Sequence, residues 1–333
     1  MKNFMQVFFR NIDNFRRCGI LEKIQKEAML MTELSREIFD NYQVRKTKKQ
    51  KDAFIRLMQT HIPSLQVQES GFPKCRNLVL GDPGTANVIL GAHYDTCARL
   101  PFPNFITPKK PLLSIAYSVL IVLPPILLVI LVNILAGFYI HNPLVTYWIS
   151  LCVYFLFILL LLAGPANQHT ANDNTSGVIT LVELYHCLPK ELADKVCFVF
   201  FDNEEQGLLG SGHFRRKYKS AIREKLLINF DCVSDGDYFL LGITKKANRK
   251  YHIPLVRTYT STEEKHVMME NLKKVYYPSD QAGFPVAIAV AALKHKKGIG
   301  YYMDRIHTKR DTHFDERNIA YLTERTVQFI ESI

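Results

Sequence analysis

Two adjacent acidic residues, Glu204 and Glu205, stand just after the apolar run Val196–Phe201. Side-by-side carboxylates in an apolar setting repel each other, and this costs free energy unless a cation is present. His93 and Asp95 stand just after another short apolar run of the chain. Imidazole nitrogen and carboxylate oxygen are ligands that zinc accepts readily. These two segments therefore indicate a site for a divalent metal ion.

Three further residues have the types and positions of metal ligands. Asp231 directly follows the apolar run Leu226–Phe230, Asp173 lies at the start of a predicted helix, and His307 lies in a loop near the C-terminus. Each has an ordinary structural explanation when taken alone, since Asp commonly caps a helix N-terminus. Together they exceed the ligands that one tetrahedral ion needs, which indicates two ions about 3.5–4 Å apart sharing a carboxylate. The sequence contains no HExxH motif, so a single zinc site carried by one helix is not indicated.

Short apolar runs rich in β-branched and aromatic residues predict the strands that position these ligands. The predicted strands are 77–80, 87–90, Val196–Phe201 and Leu226–Phe230, and the predicted helical segments are 20–61, 177–188, 208–218 and 313–333. Alternating strands and helices predict an α/β fold with a mostly parallel mixed sheet and helices on both faces. Ligands of such sheets bind at the carboxyl ends of strands, where the candidate residues stand.

A long uncharged segment interrupts this pattern. No Asp, Glu, Lys or Arg occurs from Pro111 to Asn172, and two apolar runs, 112–140 and 144–163, lie inside it. Each exceeds the length of about 18–20 residues that crosses a bilayer. Asn142-Pro143 provides a turn between them. We predict a transmembrane helical hairpin, residues 111–163, inserted into a catalytic domain formed by 1–110 and 164–333. Two apolar helices buried in the protein core, or a hairpin inserted into only one leaflet of the bilayer, are the alternatives.

Charge and cysteine content predict the side of the membrane on which the catalytic domain lies. Arg99, Lys109 and Lys110 precede the first run, whereas the turn between the runs carries no charge. Positive flanks favour the cytoplasmic side. The seven cysteines are odd in number and irregularly spaced, which favours a reducing compartment over a disulfide framework. We therefore expect an integral membrane protein with two spans and a cytoplasmic catalytic domain.

The formal net charge of +11 raises the question of an anionic partner. The basic residues are spread along the chain, and no signature of RNA or DNA binding accompanies them. Contact with an anionic membrane surface explains the charge better than nucleic acid does. The expected partners are therefore a lipid bilayer and a substrate, with no nucleic acid. The oligomeric state is not indicated.

The motifs, taken as a set, resemble a known family. GAHYDT, NDNTSGV, EEQGLLGS, a strand that ends in Asp231, and IHTKRDT occur in this order. This set is similar to the two-zinc exopeptidases of peptidase clan MH, such as bacterial leucyl aminopeptidase and aminopeptidase Y, and to the one-zinc glutaminyl cyclases. The resemblance extends from about Tyr42 to the end of the chain, with the apolar insert removed. It implies the zinc exopeptidase fold and two Zn²⁺ ions as cofactors.

The resemblance also implies a role for each candidate ligand. His93 and Asp231 would hold one zinc ion, and Glu205 and His307 would hold the other. Asp173 would bridge the two ions, and members of the family often have a cis peptide bond after this residue.

The same resemblance implies the residues that act on the substrate. Glu204 would be the general base that takes a proton from a metal-activated water, and Asp95 would orient His93 from behind the metal. Asp280, in the segment SDQAGF, would lie near the substrate pocket.

The function expected from the resemblance is hydrolysis of peptide bonds by a membrane-anchored, zinc-dependent aminopeptidase. A glutaminyl-cyclase-like acyltransferase is the first alternative, and a catalytically silent membrane-bound binding protein is the second. A transporter component is disfavoured, because the two apolar runs contain no charged residue that could form a pathway. The insert would place the mouth of the active site near the bilayer, which makes a hydrophobic or membrane-derived peptide a possible substrate.

Overall fold

The computed structural model describes residues 31–333, and the predicted helical part before residue 31 lies outside this range. Helices α1 (Glu33–Asn41) and α2 (Lys48–His61) come first. The prediction treated this region as one helical part, whereas the structure interrupts it between α1 and α2. A capping box begins α2, in which Thr47 and Gln50 bind each other's backbone N–H groups.

Nine strands of the described chain form one mixed sheet. They are β1 (Gln66–Ser70), β2 (Cys75–Leu80), β3 (Val88–His93), β4 (Val196–Phe201), β5 (Leu226–Phe230), β6 (Tyr238–Ile243), β7 (His266–Asn271), β8 (Ala287–Lys296) and β9 (Gly300–Tyr302). The order is β1-β2-β4-β3-β5-β8-β6-β7, and β9 pairs with β8. The central strands β4, β3, β5 and β8 are parallel, while β1, β2, β6 and β9 introduce antiparallel pairs. The predicted α/β fold with a mixed sheet is therefore confirmed, although its parallel part is limited to the centre and the β6–β7 pair.

The remaining helices lie between and after the strands along the chain. After the apolar pair α3 (Pro111–Tyr139) and α4 (Pro143–Ala163) come α5 (Gly177–Cys187), α6 (Lys190–Ala193), α7 (Leu209–Lys217), α8 (Lys245–Thr258) and α9 (Glu316–Glu331). Along β3, Val88 and Leu90 pack in the same core cluster as α5 and α9, whereas Ile89 packs with Phe214 of α7 in another. Because alternate residues of a strand face opposite sides, the sheet has helices on both faces.

The two apolar helices leave the α/β domain together. Helices α3 and α4 are joined by residues 140–142, and Asn133 donates a hydrogen bond of 2.9 Å to Ser150 across the pair. The chain segments at the base of the pair meet at a bridge between Ala98 and Ala166. Within the described residues, α3 is long and apolar enough to cross a bilayer. The second predicted span, in α4, stays a prediction.

A buried ion pair fixes the loop that follows β4. Lys51 of α2, which is 6 % exposed, lies 2.5 Å from Asp202 and 2.6 Å from the side-chain oxygen of Asn203. The other carboxylate oxygen of Asp202 accepts the backbone N–H of Arg76 at 2.8 Å. Helix α2, strand β2 and the segment before Glu204 are thus held at one point.

Breaking this pair leaves a buried charge without a partner. We expect Lys51→Met to lower the free energy of unfolding by about 3–5 kcal/mol, because the desolvated carboxylate of Asp202 loses its counter-ion. Lys246→Met is the matched control, since Lys246 and Glu224 form an exposed pair whose loss costs less than about 1 kcal/mol. Urea unfolding of the purified variants measures both values. Equal stability of the two variants would show that the Lys51 pair does not hold the loop.

Candidate metal centre

The candidate ligands converge at one edge of the sheet. His93 is the last residue of β3, Asp231 directly follows β5, and Glu205 lies in the turn after β4. These three strands are parallel neighbours in the order β4-β3-β5, so their carboxyl ends meet. Asp173 lies in the irregular turn Ala171–Ser176 before α5, and His307 lies in the loop after β9.

One cluster forms around the ring of His93. Its Nε2 atom lies 3.4 Å from Asp173 Oδ1 and 3.4 Å from Asp231 Oδ1. All three residues are buried, and one potential ligand atom of each lies within 4.8 Å of the others. This spacing allows the three side chains to bind one metal ion.

A second cluster forms around the ring of His307. Its Nε2 atom lies 3.0 Å from Asp173 Oδ2 and 3.3 Å from Glu205 Oε2. The two oxygens of Asp173 therefore face different clusters, Oδ1 towards His93 and Oδ2 towards His307. A carboxylate in this position has the geometry of a bridging ligand between two ions.

Among the residues that the structure describes, two buried oxygen atoms at this centre lack a hydrogen-bond partner. They are Glu205 Oε1 and Asp231 Oδ1. Burial, together with repulsion from Asp173, raises the pKa of Glu205 to about 8 although His307 opposes the rise. The raised pKa of Glu205 reports an excess of negative charge, and the two oxygen atoms have no hydrogen-bond donor. Both features fit a site that accommodates a cation.

Both histidines attract protons in the absence of a cation. Burial lowers the pKa of His307, but the neighbouring Glu205 and Asp173 outweigh it and raise that pKa to about 9. For His93, burial is likewise outweighed by Glu204 and the surrounding Asp residues, which raise its pKa well above the usual value. Positive charge is therefore favoured between Asp173 and the two ring nitrogens that face it. A metal ion in such a cluster would take this position.

Asp95 connects the ends of β3 and β4. Its carboxylate accepts the backbone N–H of Glu204 at 2.9 Å and that of Glu205 at 3.2 Å. The Nδ1 atom of His93 lies 3.1 Å from the main-chain carbonyl oxygen of Asp95 but 3.7 Å from its carboxylate. The sequence analysis expected the carboxylate to orient His93. In the structure the carbonyl group contacts the ring, and the carboxylate holds the turn that carries the two glutamates.

The turn around Asp173 is fixed by side chains from distant segments. The peptide bond Asp173-Asn174 is cis, as the sequence analysis predicted. Asp311 accepts the backbone N–H groups of Asn172 and Asp173 at 2.9 and 3.0 Å. Asn174 donates to the carbonyl oxygen of Phe230 at 3.0 Å. The role of Asp311 was missed, although this residue belongs to the motif IHTKRDT.

Arg45 supports the centre from the side of the core. It is fully buried, and its guanidinium donates to the carbonyl oxygen of Tyr94 at 2.5 Å and to Thr175 at 3.2 Å. Burial lowers the pKa of Arg45 to about 9, while Asp95 and Asp173 act in the opposite direction. Sequence reasoning missed this residue, because Arg45 stands in a basic stretch that is typical of a solvated helix.

Cys97 is a further residue that the sequence analysis did not assign to the centre. Its sulfur lies within 4.8 Å of potential ligand atoms of Glu205 and His307. The expected ligand set contained only imidazole and carboxylate, whereas this thiol adds a softer donor beside the second cluster. The available signal was its position two residues after Asp95, in GAHYDTC.

The clusters open into a cavity of about 300 Å³. Glu204 lines it together with His93 and Asp173, and Tyr277 and Ile306 form apolar walls. Asp280, predicted near the substrate pocket, is fully buried and follows the lining residue Pro278 by two positions. Burial raises the pKa of Asp280 to about 7.

This fold and these clusters define a zinc metallopeptidase. Residues 158–329 match Peptidase family M28, and the chain belongs to this family. The predicted class of enzyme is thereby confirmed. A sequence search among curated proteins found no match.

Several solved structures share the fold. LapA aminopeptidase of Legionella pneumophila is 13 % identical, with a TM-score of 0.52, over 93 % of this chain and 73 % of that chain. Glutaminyl cyclase of Porphyromonas gingivalis is 17 % identical, with a TM-score of 0.54, over 90 % and 96 %. A Zn-dependent exopeptidase of Parabacteroides distasonis is 14 % identical, with a TM-score of 0.52, over 89 % and 94 %. At these identities the likeness establishes the fold alone.

We expect zinc to stabilise the folded protein strongly. A cation relieves the repulsion among the buried carboxylates and binds only the folded state, so adding zinc to the metal-free protein should raise its Tm. Asp173→Ala should lose most of this rise, because Asp173 faces both clusters. Asp40→Ala, at an exposed position of α1, is the control and should keep it. Differential scanning fluorimetry with and without zinc measures the shift, and an unchanged Tm of the native sequence would contradict the metal centre.

Proposed function

We propose that this zinc metallopeptidase is a membrane-anchored aminopeptidase that uses two zinc ions. The observation that carries the proposal is the position of Asp173, whose two oxygens face two separate clusters. His93 and Asp231 would hold one ion, Glu205 and His307 the other, and Asp173 both. When bound, zinc ions in such sites polarise the scissile carbonyl group and lower the pKa of water.

Glu204 is the proposed general base. Its side chain is half-buried and lines the same cavity as His93 and Asp173. Burial, together with repulsion from Glu205 and Asp280, raises its pKa well above the usual value, although His93 opposes the rise. A carboxylate with a raised pKa accepts a proton more readily and passes it on to the departing amine.

Replacement of Glu204 separates catalysis from metal binding. We expect Glu204→Gln to retain about two zinc ions per chain, because Glu204 is not among the proposed ligands, and to lose about 10²- to 10⁴-fold in kcat. Elemental analysis and hydrolysis of aminoacyl substrates, with and without a chelator, measure the two properties. Glu224→Gln, at an exposed position, is the control and should leave both unchanged. Full activity of Glu204→Gln would remove this residue from the role of base.

A glutaminyl-cyclase-like reaction is the second candidate, because a glutaminyl cyclase is among the structures that share the fold. Two clusters rather than one favour the peptidase. A peptide with N-terminal Gln distinguishes the reactions. The peptidase shortens the peptide by one residue, whereas the cyclase releases ammonia and leaves the number of residues unchanged, which mass spectrometry detects.

The apolar pair α3 and α4 is the proposed membrane anchor, with two spans and the catalytic domain in the cytoplasm. Large apolar side chains along both helices are exposed, for example Leu120, Ile134 and Leu159. Exposed apolar surfaces of this size are typical of membrane contacts. Lys109 and Lys110 precede α3, and positive flanks of this kind favour the cytoplasmic side.

Membrane extraction and protease access test the anchor. We expect the full-length protein to remain in the membrane pellet after alkaline carbonate treatment, since an apolar hairpin is not released by salt or pH. Trypsin should cleave the catalytic domain in inside-out vesicles and leave it intact in right-side-out vesicles. Release into the supernatant would contradict the anchor, and cleavage in right-side-out vesicles would contradict the orientation.

A further inference from the structure

A second cavity, of about 360 Å³, adjoins the metal centre and reaches the apolar helix α3. Glu205 and His307 line this α3 cavity together with Tyr117, Ile121 and Val122 of α3. The helix proposed to enter the membrane is therefore also a wall of the space beside the catalytic residues.

The lining of the α3 cavity is mixed, and its apolar part is the larger; the polar part includes Lys46, Lys51, Asp95, Asn104 and Gln206. Leu100, Phe102 and Pro103 of the loop after β3 line the apolar part together with the aliphatic side chains of α3. The hydroxyl group of Tyr117 is engaged, because it donates to the carbonyl oxygen of Pro103 at 3.0 Å. Such a surface binds hydrocarbon groups by removing them from water, and it penalises polar groups that find no partner there.

The first turns of α3 are fixed to the catalytic domain. The hydroxyl of Ser114 accepts the backbone N–H of Thr107 at 2.7 Å, and Lys109 forms an ion pair of 2.5 Å with Glu270. Residues 120–139 remain beyond this attachment, and at about 1.5 Å per residue they extend about 30 Å, the thickness of the hydrocarbon core. The part of the α3 cavity that α3 lines thus lies where this helix would enter the bilayer.

The path continues outward from the α3 cavity. A third cavity, of about 380 Å³, shares Ser118 and Val122 with it and is lined by Leu123, Ile126 and Tyr276. By contrast, the cavity directly at the metal centre is walled by Tyr277, Ile306 and other residues of the catalytic domain. An aminopeptidase substrate has one residue before the cleaved bond and many after it. The α3 cavity and the third cavity, each larger than the cavity at the metal centre, therefore have room for the residues that follow the bond.

We propose that the α3 cavity binds apolar side chains of the residues that follow the cleaved bond. The preferred substrates are then hydrophobic peptides held at the bilayer surface. This inference rests on the proposed aminopeptidase function and adds the substrate class to it.

The test compares three substrates with the same N-terminal residue, using the full-length protein in lipid nanodiscs. They are Ala-Leu-Phe-amide, Ala-Ser-Asn-amide and alanine amide, which has no residue beyond the cleaved bond. We expect kcat/KM for Ala-Leu-Phe-amide to exceed that for Ala-Ser-Asn-amide at least about 10-fold, the discrimination typical of apolar pockets.

A bulky substitution in the cavity wall then locates the preference. Ile121→Trp should fill the α3 cavity, reduce the ratio between the two tripeptide amides to below about 3-fold, and leave alanine amide hydrolysis within 2-fold. Ile130→Trp is the matched control, because Ile130 lies on α3 but lines none of the three cavities, and it should preserve the ratio.

The outcomes separate this inference from the function on which it rests. Equal hydrolysis of both tripeptide amides by the native sequence overturns the inference alone, and this is also the result expected if bilayer lipid fills the cavity. Absence of chelator-sensitive hydrolysis of all three substrates overturns the aminopeptidase function itself. If Ile121→Trp loses alanine amide hydrolysis as well, its fold is perturbed. The ratio of kcat/KM between the two tripeptide amides, measured for the native sequence, then decides whether the inference holds.

Discussion

Repulsion between buried carboxylates is the constraint on which the rest of this structure depends. Asp173, Glu205 and Asp231 share a small space at the edge of the sheet, with Glu204 beside them. Without a nearby positive charge, ionised carboxylates in this space destabilise one another. The raised pKa values of Glu204 and Glu205 reflect this repulsion. The fold stabilises the arrangement by supplying imidazole rings, backbone N–H groups and, in a zinc metallopeptidase, the metal.

The segments that carry these groups are joined by side chains that bind backbone atoms of another segment. Asp95 holds the turn after β4, Asp311 holds the turn before α5, and Asn174 ties that turn to the end of β5. Arg45 reaches from the connection between α1 and α2 to the end of β3. Because every contact crosses a large distance in the sequence, the geometry of the centre depends on the complete domain.

This long range also explains what the sequence could and could not predict. The buried strands β3, β4 and β5 were found because a central strand is a continuous apolar run, and the residues at their ends followed from the geometry of parallel sheets. Strands β1 and β6 to β9 were not predicted. Arg45 was missed because its position depends on tertiary contacts that no local pattern records, whereas Cys97 was missed although it follows Asp95 by two residues. Within the described residues α3 is a candidate membrane span, and the second predicted span stays a prediction.

The position of the apolar pair along the chain determines the order in which the protein is built. Both sheet neighbours of β3, the strands β4 and β5, are encoded after α4, and so are Asp173, Glu205, Asp231 and His307. A ribosome therefore releases α3 and α4 while β3 still lacks its partners. Domains fold as their segments emerge during synthesis, so insertion of the proposed anchor would precede closure of the sheet. The sheet and the metal centre would then be completed after the proposed anchor has emerged.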